Sequence, residues 1–341
     1  MNDYSVVITT INQPTDDVKR VVELTDRAGA TVFVIGDKKT PADWDCGTAV
    51  FISYEHQLDL YPALGQLLSA NHYSRKNIGY LIAARGGDGD WIYETDDDNR
   101  PIVTKFYPPE RLGFSRVTNK GWINVLPEFS YQPWNKIWPR GFPLELVNKA
   151  QEVTYSTDVI HQPVIMGLVD QDPDVDAIYR MTQDLPYLFN SGDKVITLAD
   201  GAWFPWNSQN TWWRKDCLPL MYLPTTVTPR VTDILRSYVA TAILQKFGLG
   251  IGITSPTAVQ VRNQHNLLKD FTDEMPLYLH ADQMMACIIE GIEDSENYHL
   301  AMIDAYQNLA DYFFVEKDEM HSLLAYLGEA QKIQGGELLE V

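Results

Sequence analysis

The chain has 341 residues, and its 27 Lys and Arg face 46 Asp and Glu, a formal net charge of −19. That surface excludes non-specific binding to nucleic acid or to anionic membranes, which carry charge of the same sign. With 45% hydrophobic and 11% aromatic residues, the chain has ample apolar material for a packed core, which excludes a disordered polymer. The acid is uneven: residues 266–341 hold 16 Asp and Glu against three Lys, a net of −13, which leaves −6 for the first 265. An anionic ligand is therefore expected in the first part. The three cysteines, Cys46, Cys217 and Cys287, form no CxxC pair, so free thiols and a reducing compartment are expected. The start, Met-Asn-Asp-Tyr-Ser, has no basic and apolar leader, and no apolar run is long enough to span a bilayer. The expectation is a cytoplasmic protein with no transmembrane segment.

Residues Tyr4–Ile11 (YSVVITTI) are predicted to form a strand that ends in Asn12-Gln13-Pro14. Asp16–Ala28 carries Val18, Val21, Val22 and Leu24 at helical spacing. Ala30–Ile35 reads as a second strand, stopped by Gly36-Asp37-Lys38-Lys39. Strand, helix and strand in about 35 residues make a βαβ unit with a parallel pair. Ala49–Ile52 is a third strand, Arg75–Ala84 a helix, and Asp90–Thr95 a fourth strand that runs into Asp96-Asp97-Asp98-Asn99. Residues 1–100 thus read as an open α/β sheet of the nucleotide-binding kind, with ligands at the carboxyl ends of its strands. Residues 101–290 form a mixed half, rich in Pro and Trp, in which short strands and long loops are expected. Helical spacing returns at Val231–Gln245 and at Met302, Ile303, Tyr306, Leu309 and Phe313. Residues 291–341 are expected to be acidic helices, and the whole to be one continuous unit.

Three successive carboxylates at a strand end, Asp96, Asp97 and Asp98, repel one another unless a cation joins them. Hard oxygen donors suit Mg²⁺ or Mn²⁺ holding a diphosphate. The stretch from His72 to Arg85 has three basic residues and no acid, so Arg75 and Lys76, with Asn77 beside them, are a candidate diphosphate clamp near a helix start. Asp37, after the second strand, can take ribose or base hydroxyls or belong to a solvated loop, and Thr9, Thr10 and Asn12 can touch the base or equally be a strand end and helix cap. Asp170, Asp172, Asp174 and Asp176 surround Pro173 but lack the Gly and distant Glu of a calcium loop, so they read as a sheet-edge turn. The tryptophans 134, 138, 203, 206, 212 and 213 suit stacking on sugar faces, although most tryptophans are core.

Five segments carry a resemblance. They are Tyr73–Asn99 (YSRKNIGYLIAARGGDGDWIYETDDDN), Ile137–Leu144 (IWPRGFPL), Gly167-Leu168 with Asp172–Arg180 (DPDVDAIYR), Arg230–Ile234 (RVTDI) with Ser237-Tyr238, and Arg262–Leu267 (RNQHNL). In this order they resemble the STELLO family of glycosyltransferases. The plant members are longer and have a membrane anchor, so their location is not carried over. A weaker similarity, through Asp96–Asp98, Arg140-Gly141-Phe142-Pro143 and the pair Arg230 and Asp233, runs to the reversibly glycosylated polypeptides, the UDP-arabinopyranose mutases.

Both resemblances imply an α/β fold of the GT-A glycosyltransferase type, a UDP- or GDP-linked sugar donor, and Mn²⁺ or Mg²⁺. The implied activity is transfer of the sugar to a glycan or other hydroxyl acceptor. Asp98 is the implied metal ligand, with Asp96 and Asp97 in support. His265 is the candidate to complete the shell, with His280 as its rival. Asp233 is the candidate base for an inverting transfer. Arg140 is either a phosphate or sugar contact or a mutase-type nucleophile, and Arg230 is grouped with it. Two other functions stand beside transfer: pyranose–furanose interconversion of a nucleotide sugar, and a non-catalytic scaffold of a glycan-synthesis complex.

Overall fold

The computed structural model describes residues 4–86, 89–103, 106, 108, 113–131, 136–192, 194–262 and 266–335. The first unit is β1 (Tyr4–Thr9), α1 (Asp16–Ala28), β2 (Thr31–Ile35), β3 (Val50–Ile52), α2 (Tyr54–Leu60), α3 (Pro62–Leu67), α4 (Lys76–Gly86) and β4 (Trp91–Asp96). β1 pairs in parallel with β2 and β4, and β2 in parallel with β3. This order, 3-2-1-4, puts the ends of β1, β2 and β4 on one edge. Each boundary has a local cause. Thr15 caps α1 by accepting the Val18 amide at 3.1 Å, Asp16 and Asp17 complement the dipole, and Gly29 ends the helix at φ 74°. On α4, a Cβ at Gly79 would lie 2.5 Å from Val7 and 2.7 Å from Ile35, so only glycine lets this helix lie so close on β1 and β2.

The sheet continues through the second unit. Here lie β5 (Asn99–Pro101), β6 (Gly113–Val117), β7 (Gly121–Trp122), β8 (Tyr155–Ser156), β9 (Val164–Gln171), α5 (Ala177–Thr182), β10 (Lys194–Leu198), β11 (Ala202–Trp203) and β12 (Asn210–Arg214). They are followed by α6 (Pro229–Lys246), β13 (Ile251–Gln260), α7 (Leu267–Asp273), α8 (Met275–Gly291), α9 (Tyr298–Asp311) and α10 (Glu319–Ile333). Among the described residues one eleven-stranded mixed sheet runs β3-β2-β1-β4-β12-β9-β13-β10-β6-β8, with β5 on β13, and β7 and β11 form a separate ribbon. The architecture is mixed α/β, as expected. The middle holds longer strands than its composition suggests. β13 contains Pro256, and its pairing with β9 shifts register between Thr254 and Ala258, where the missing N–H is tolerated. The Asp170–Asp176 turn is a correction: it leaves the carboxyl end of β9, which lies inside the sheet between β12 and β13. No described helix is long and apolar enough to cross a membrane.

Most of the tryptophans are core, as expected, and none of the five described ones lines the cleft at the strand ends. Trp138, Trp206, Trp212 and Trp213 are buried in the two cores that cover the faces of the sheet, and Trp134 lies outside the described residues. Trp203 lines a hollow of about 940 Å³ beside α6 and α8, which shares no residue with the acid-lined cleft. One fully buried polar contact is an ion pair. Glu94 of β4 and Arg236 of α6 are 0% and 1% exposed. The guanidinium donates to both carboxylate oxygens at 2.6 and 2.9 Å, while Trp213 Nε1 at 2.7 Å and the Tyr80 hydroxyl complete the shell. Burial lowers the pKa of Arg236, and the charge of Glu94 more than restores it, so the cation is fixed.

Removing one partner leaves a buried charge alone. Arg236→Met is expected to cost about 3–5 kcal/mol in urea unfolding, and Glu94→Gln/Arg236→Met is expected to recover part of it. A single-variant loss below about 1 kcal/mol would show that the pair does not hold α6 on β4.

Candidate functional site

A cleft of about 520 Å³ opens at the carboxyl ends of β1, β2 and β4. Thr9, Thr10, Asn12, Asp37, Arg75, Asp96, Asp97 and Asp98, named from sequence as ligand contacts, all line it. Thr10 donates to Asp97 at 2.5 Å and Asn12 Nδ2 to the same oxygen at 3.0 Å. The Thr15 hydroxyl donates to the Asp97 carbonyl at 2.5 Å, which joins the α1 cap to the acidic turn.

The three aspartates do not converge. Asp96 accepts from the Tyr73 hydroxyl at 2.8 Å and from Lys76 Nζ at 3.1 Å. Asp97 turns to Thr10 and Asn12, and Asp98 accepts from Gln260 Nε2 at 2.9 Å. Burial, together with the charges of Asp96 and Asp97, pushes the Asp98 carboxyl up to about 7. Among the described residues no group of three or more His, Cys, Asp or Glu is disposed to hold a metal. The donor set nevertheless fits Mg²⁺ or Mn²⁺ binding through one or two carboxylates plus water and substrate phosphate, with Asp96 and Asp98 as the carboxylates. His265 lies outside the described residues. His280 is on α8, hydrogen-bonded to Gln283 at 2.7 Å and set against Phe314, and does not line the cleft.

The basic clamp needs correction. Lys76 is fully buried and donates to Tyr73, to the Thr95 carbonyl and to Asp96, so it is the counter-ion of Asp96. Asn77 is also buried, and its amide donates to and accepts from the Leu223 backbone at 2.8 and 2.7 Å. Arg75 reaches the cleft wall, but its Nε donates to Gln57 at 2.7 Å and its Nη1 to the Leu68 carbonyl at 3.0 Å, while Nη2 is buried without a partner. The cleft also contains His72, which sequence reasoning passed over. Its Nδ1 accepts the Ser74 amide at 3.2 Å, and burial lowers its pKa.

A smaller pocket of about 70 Å³ shares Asp96, Arg230, Gln260 and Arg262 with the cleft. Arg140 crosses it. Its Nη1 and Nη2 donate to the two Asp233 oxygens at 2.9 and 3.0 Å, and its Nε and Nη2 donate to the two Asp174 oxygens at 2.9 and 2.8 Å. The sequence places this guanidinium through Gly141, at φ 84°, where a Cβ would lie 2.4 Å from Ile234 of α6. Burial lowers the pKa of Arg140, but the charges of Asp174 and Asp233 raise it well above its ordinary value. Burial raises the Asp174 carboxyl, and Arg140 overrides it and holds the group low. Both Asp233 oxygens are engaged, so in this arrangement Asp233 anchors Arg140 and is not a free base. Arg230 donates through Nε to Glu274 at 2.7 Å. Arg180 and Arg262, absent from the sequence-based site, complete the pocket. Both fall within the segments DPDVDAIYR and RNQHNL, but spacing along the chain does not show that α5 and the end of β13 meet.

Residues 230–334 match the family model described as STELLO glycosyltransferases. The chain resembles the STELLO proteins. Two from Arabidopsis thaliana, "Probable glycosyltransferase STELLO1" and "Probable glycosyltransferase STELLO2", are 24% and 25% identical to it over 94% and 92% of its length. The chain covers 43% of each, so it spans less than half the length of these relatives. A crystal structure of a mycobacterial protein superposes with a TM-score of 0.40 at 13% identity, over 86% of this chain and 76% of that one.

The Asp98 carboxyl supplies a pH test. Its pKa is raised from 3.8 to about 7, so the folded state holds a proton that the unfolded chain has already lost. The favourable contribution is complete below the unfolded value and is lost as pH rises through about 7. Asp98→Asn should therefore raise the melting temperature at pH 8 while leaving that at pH 4 nearly unchanged. Equal shifts at both values would show that Asp98 is not the titrating group.

Proposed function

We propose that the chain is a metal-dependent glycosyltransferase of the GT-A type that takes a UDP- or GDP-linked sugar and passes the sugar to a glycan or other hydroxyl acceptor. The observation that carries this reading is the cleft at the ends of β1, β2 and β4, where Asp96 and Asp98 stand beside Thr9, Thr10, Asn12 and Asp37. It is the place where open α/β sheets bind ligands. The likeness to proteins named probable glycosyltransferases supports the reaction class.

In this reading Thr10, Asn12 and Asp37 meet the nucleoside. Asp96 and Asp98 would hold Mn²⁺ or Mg²⁺, which would supply neutralisation of charge on a departing diphosphate. Lys76 and Tyr73 fix Asp96 by direct hydrogen bonds, so that it need not reorganise. Arg140 and Asp233 are positioning residues. A guanidinium held by two carboxylates stays protonated, which disfavours Arg140 as a nucleophile and with it the mutase reading. The expectation of inversion rested on a free Asp233, and it is not part of this proposal.

Thermal melts with a panel of UDP- and GDP-sugars, with and without Mn²⁺, test the proposal. At least one donor should stabilise the chain only with the metal, a chelator should reverse the shift, and Asp98→Asn should abolish it. If no nucleotide sugar stabilised the chain under either condition, the proposal would fail. With a donor identified, Arg140→Lys, which keeps the charge and loses the two-sided fork, is expected to lower turnover by about 10²-fold. Unchanged turnover would remove Arg140 from the site.

A further inference from the structure

The small pocket beside the cleft has a character that the donor cleft does not explain. Arg180, Arg230 and Arg262 converge on it from α5, α6 and the end of β13, with side chains only 7%, 16% and 10% exposed. Asp96, Asp174 and Asp233 line the same pocket but are paired with Lys76 and Arg140, with Arg230 4.0 Å from Asp174, and each of the three arginines is partly compensated from outside it. Arg180 donates to Asp172 at 2.9 Å and to the Pro173 carbonyl, Arg230 to Glu274, and Arg262 to Asp270 at 3.1 Å. Mutual repulsion persists. Burial first, then the charges of Arg230 and Arg180, lower the pKa of Arg262 to about 10. Two further observations point inward. The Nε of Arg180, a donor, and the Oε1 of Gln209, an acceptor, are buried without a partner and both residues line the pocket; an oxyanion takes the Arg180 N–H as it stands and Gln209 through the Nε2 end of its amide. The first turn of α6, carrying Pro229 and Arg230 on the cleft wall, has no side-chain cap, so its positive end is not shielded by one.

We infer that Arg180, Arg230 and Arg262, with the Gln209 amide, form a binding pocket for one oxyanionic group of the substrate, a phosphoryl or a carboxylate, adjoining the acidic turn at Asp96. The volume, about 70 Å³, suits a group of that size and not a sugar ring. Guanidinium forks match both oxyanions in two-point geometry. The shared wall at Asp96, Arg230, Gln260 and Arg262 places the pocket next to the donor cleft. The group belongs either to the diphosphate of the donor or to a carboxylate on the sugar or acceptor. Only the identity of the larger molecule rests on the function proposed above. The pocket itself needs no metal.

The test is calorimetric titration of the full chain, in EDTA, with inorganic pyrophosphate and with glucuronate. The variants are Gln209→Glu, Arg262→Gln and the remote control Arg214→Gln. Gln209→Glu is isosteric and sets a carboxylate against the arginines, so the chain should stay folded while the pocket becomes closed to anions. At least one probe should bind wild type and Arg214→Gln alike, and at least about tenfold more weakly to Gln209→Glu and Arg262→Gln, a factor of ten being 1.4 kcal/mol. If Arg262→Gln does not fold, Gln209→Glu alone decides. Binding of pyrophosphate only identifies the diphosphate, glucuronate only a uronic acid or similar carboxylate, and both a general oxyanion pocket. The inference is overturned if neither probe binds wild type, or if Gln209→Glu binds as wild type does. Arginine-dependent anion binding without any nucleotide-sugar binding would keep this inference and sink the transferase. Donor binding that Gln209→Glu leaves intact, with neither probe binding wild type, would do the reverse.

Discussion

The site depends on the buried pair of Glu94 and Arg236. Glu94 lies two residues before Asp96 on β4, and Arg236 lies three residues after Asp233 and six after Arg230 on α6. The two successive spacings of three bring Arg230 next to Asp233 and Asp233 next to Arg236 along the helix surface. The pair therefore fixes the strand that ends in the acidic turn against the helix that begins with the arginines. Its shell of Tyr80, Trp213 and two guanidinium bonds leaves neither charge unpaired. A buried pair of this kind adds less net stability than its Coulomb energy suggests, because both ions lose their water. What it supplies is register: a shift of α6 by one turn would bury an uncompensated carboxylate.

From that anchor the charges alternate inward. Lys76 neutralises Asp96, Arg140 is shared by Asp174 and Asp233, and Glu274 and Asp270 hold Arg230 and Arg262. The acidic segment after residue 265 is thus not remote from the site. Asp270 of α7 and Glu274 before α8 are the outer partners of the pocket arginines, and Glu319 of α10 accepts the Thr225 and Thr226 amides just before α6. Part of the net −13 of that segment is structural, because it allows a cluster of guanidinium groups to be buried at all.

The first hundred residues were legible because their signals are local. The Asp16–Ala28 pattern with Thr15 and Gly29, the β-branched runs of β1 and β2, and the acidic turn after β4 each state their structure within a few residues. The cleft residues Thr10, Asn12, Asp37, Asp96 and Asp98 followed from them. What failed was side-chain direction. Arg75, Lys76 and Asn77 are basic or polar next to a helix start, and composition cannot say that Lys76 points at Asp96 or that Asn77 bonds Leu223, 146 residues away. The long strands β9 and β13 escaped because Gly, Pro and Thr interrupt their patterns, and with them went the convergence of Arg180 and Arg262.

Consecutive carboxylates illustrate the limit of motif reading. Asp96, Asp97 and Asp98 look like one cage in sequence, yet each turns to a different partner: Lys76, the β1 end and β13. The reason is geometric. Strand side chains alternate, and β4 ends at Asp96, so the next two residues belong to a turn whose directions its own neighbours set. Asp97 is used to tie that turn to Thr10 and Asn12, and Thr15 binds the turn's backbone. Asp97 and Asp98 both lack a cationic partner, but Asp97 is held by Thr10 and Asn12 of the β1 end, whereas Asp98 meets the amides of Asn99 and Gln260 and its carboxyl is pushed up by burial and its acidic neighbours. The electrostatic demand of the turn therefore falls most on Asp98, which lines the cleft and is hydrogen-bonded to Gln260, a residue shared with the arginine pocket.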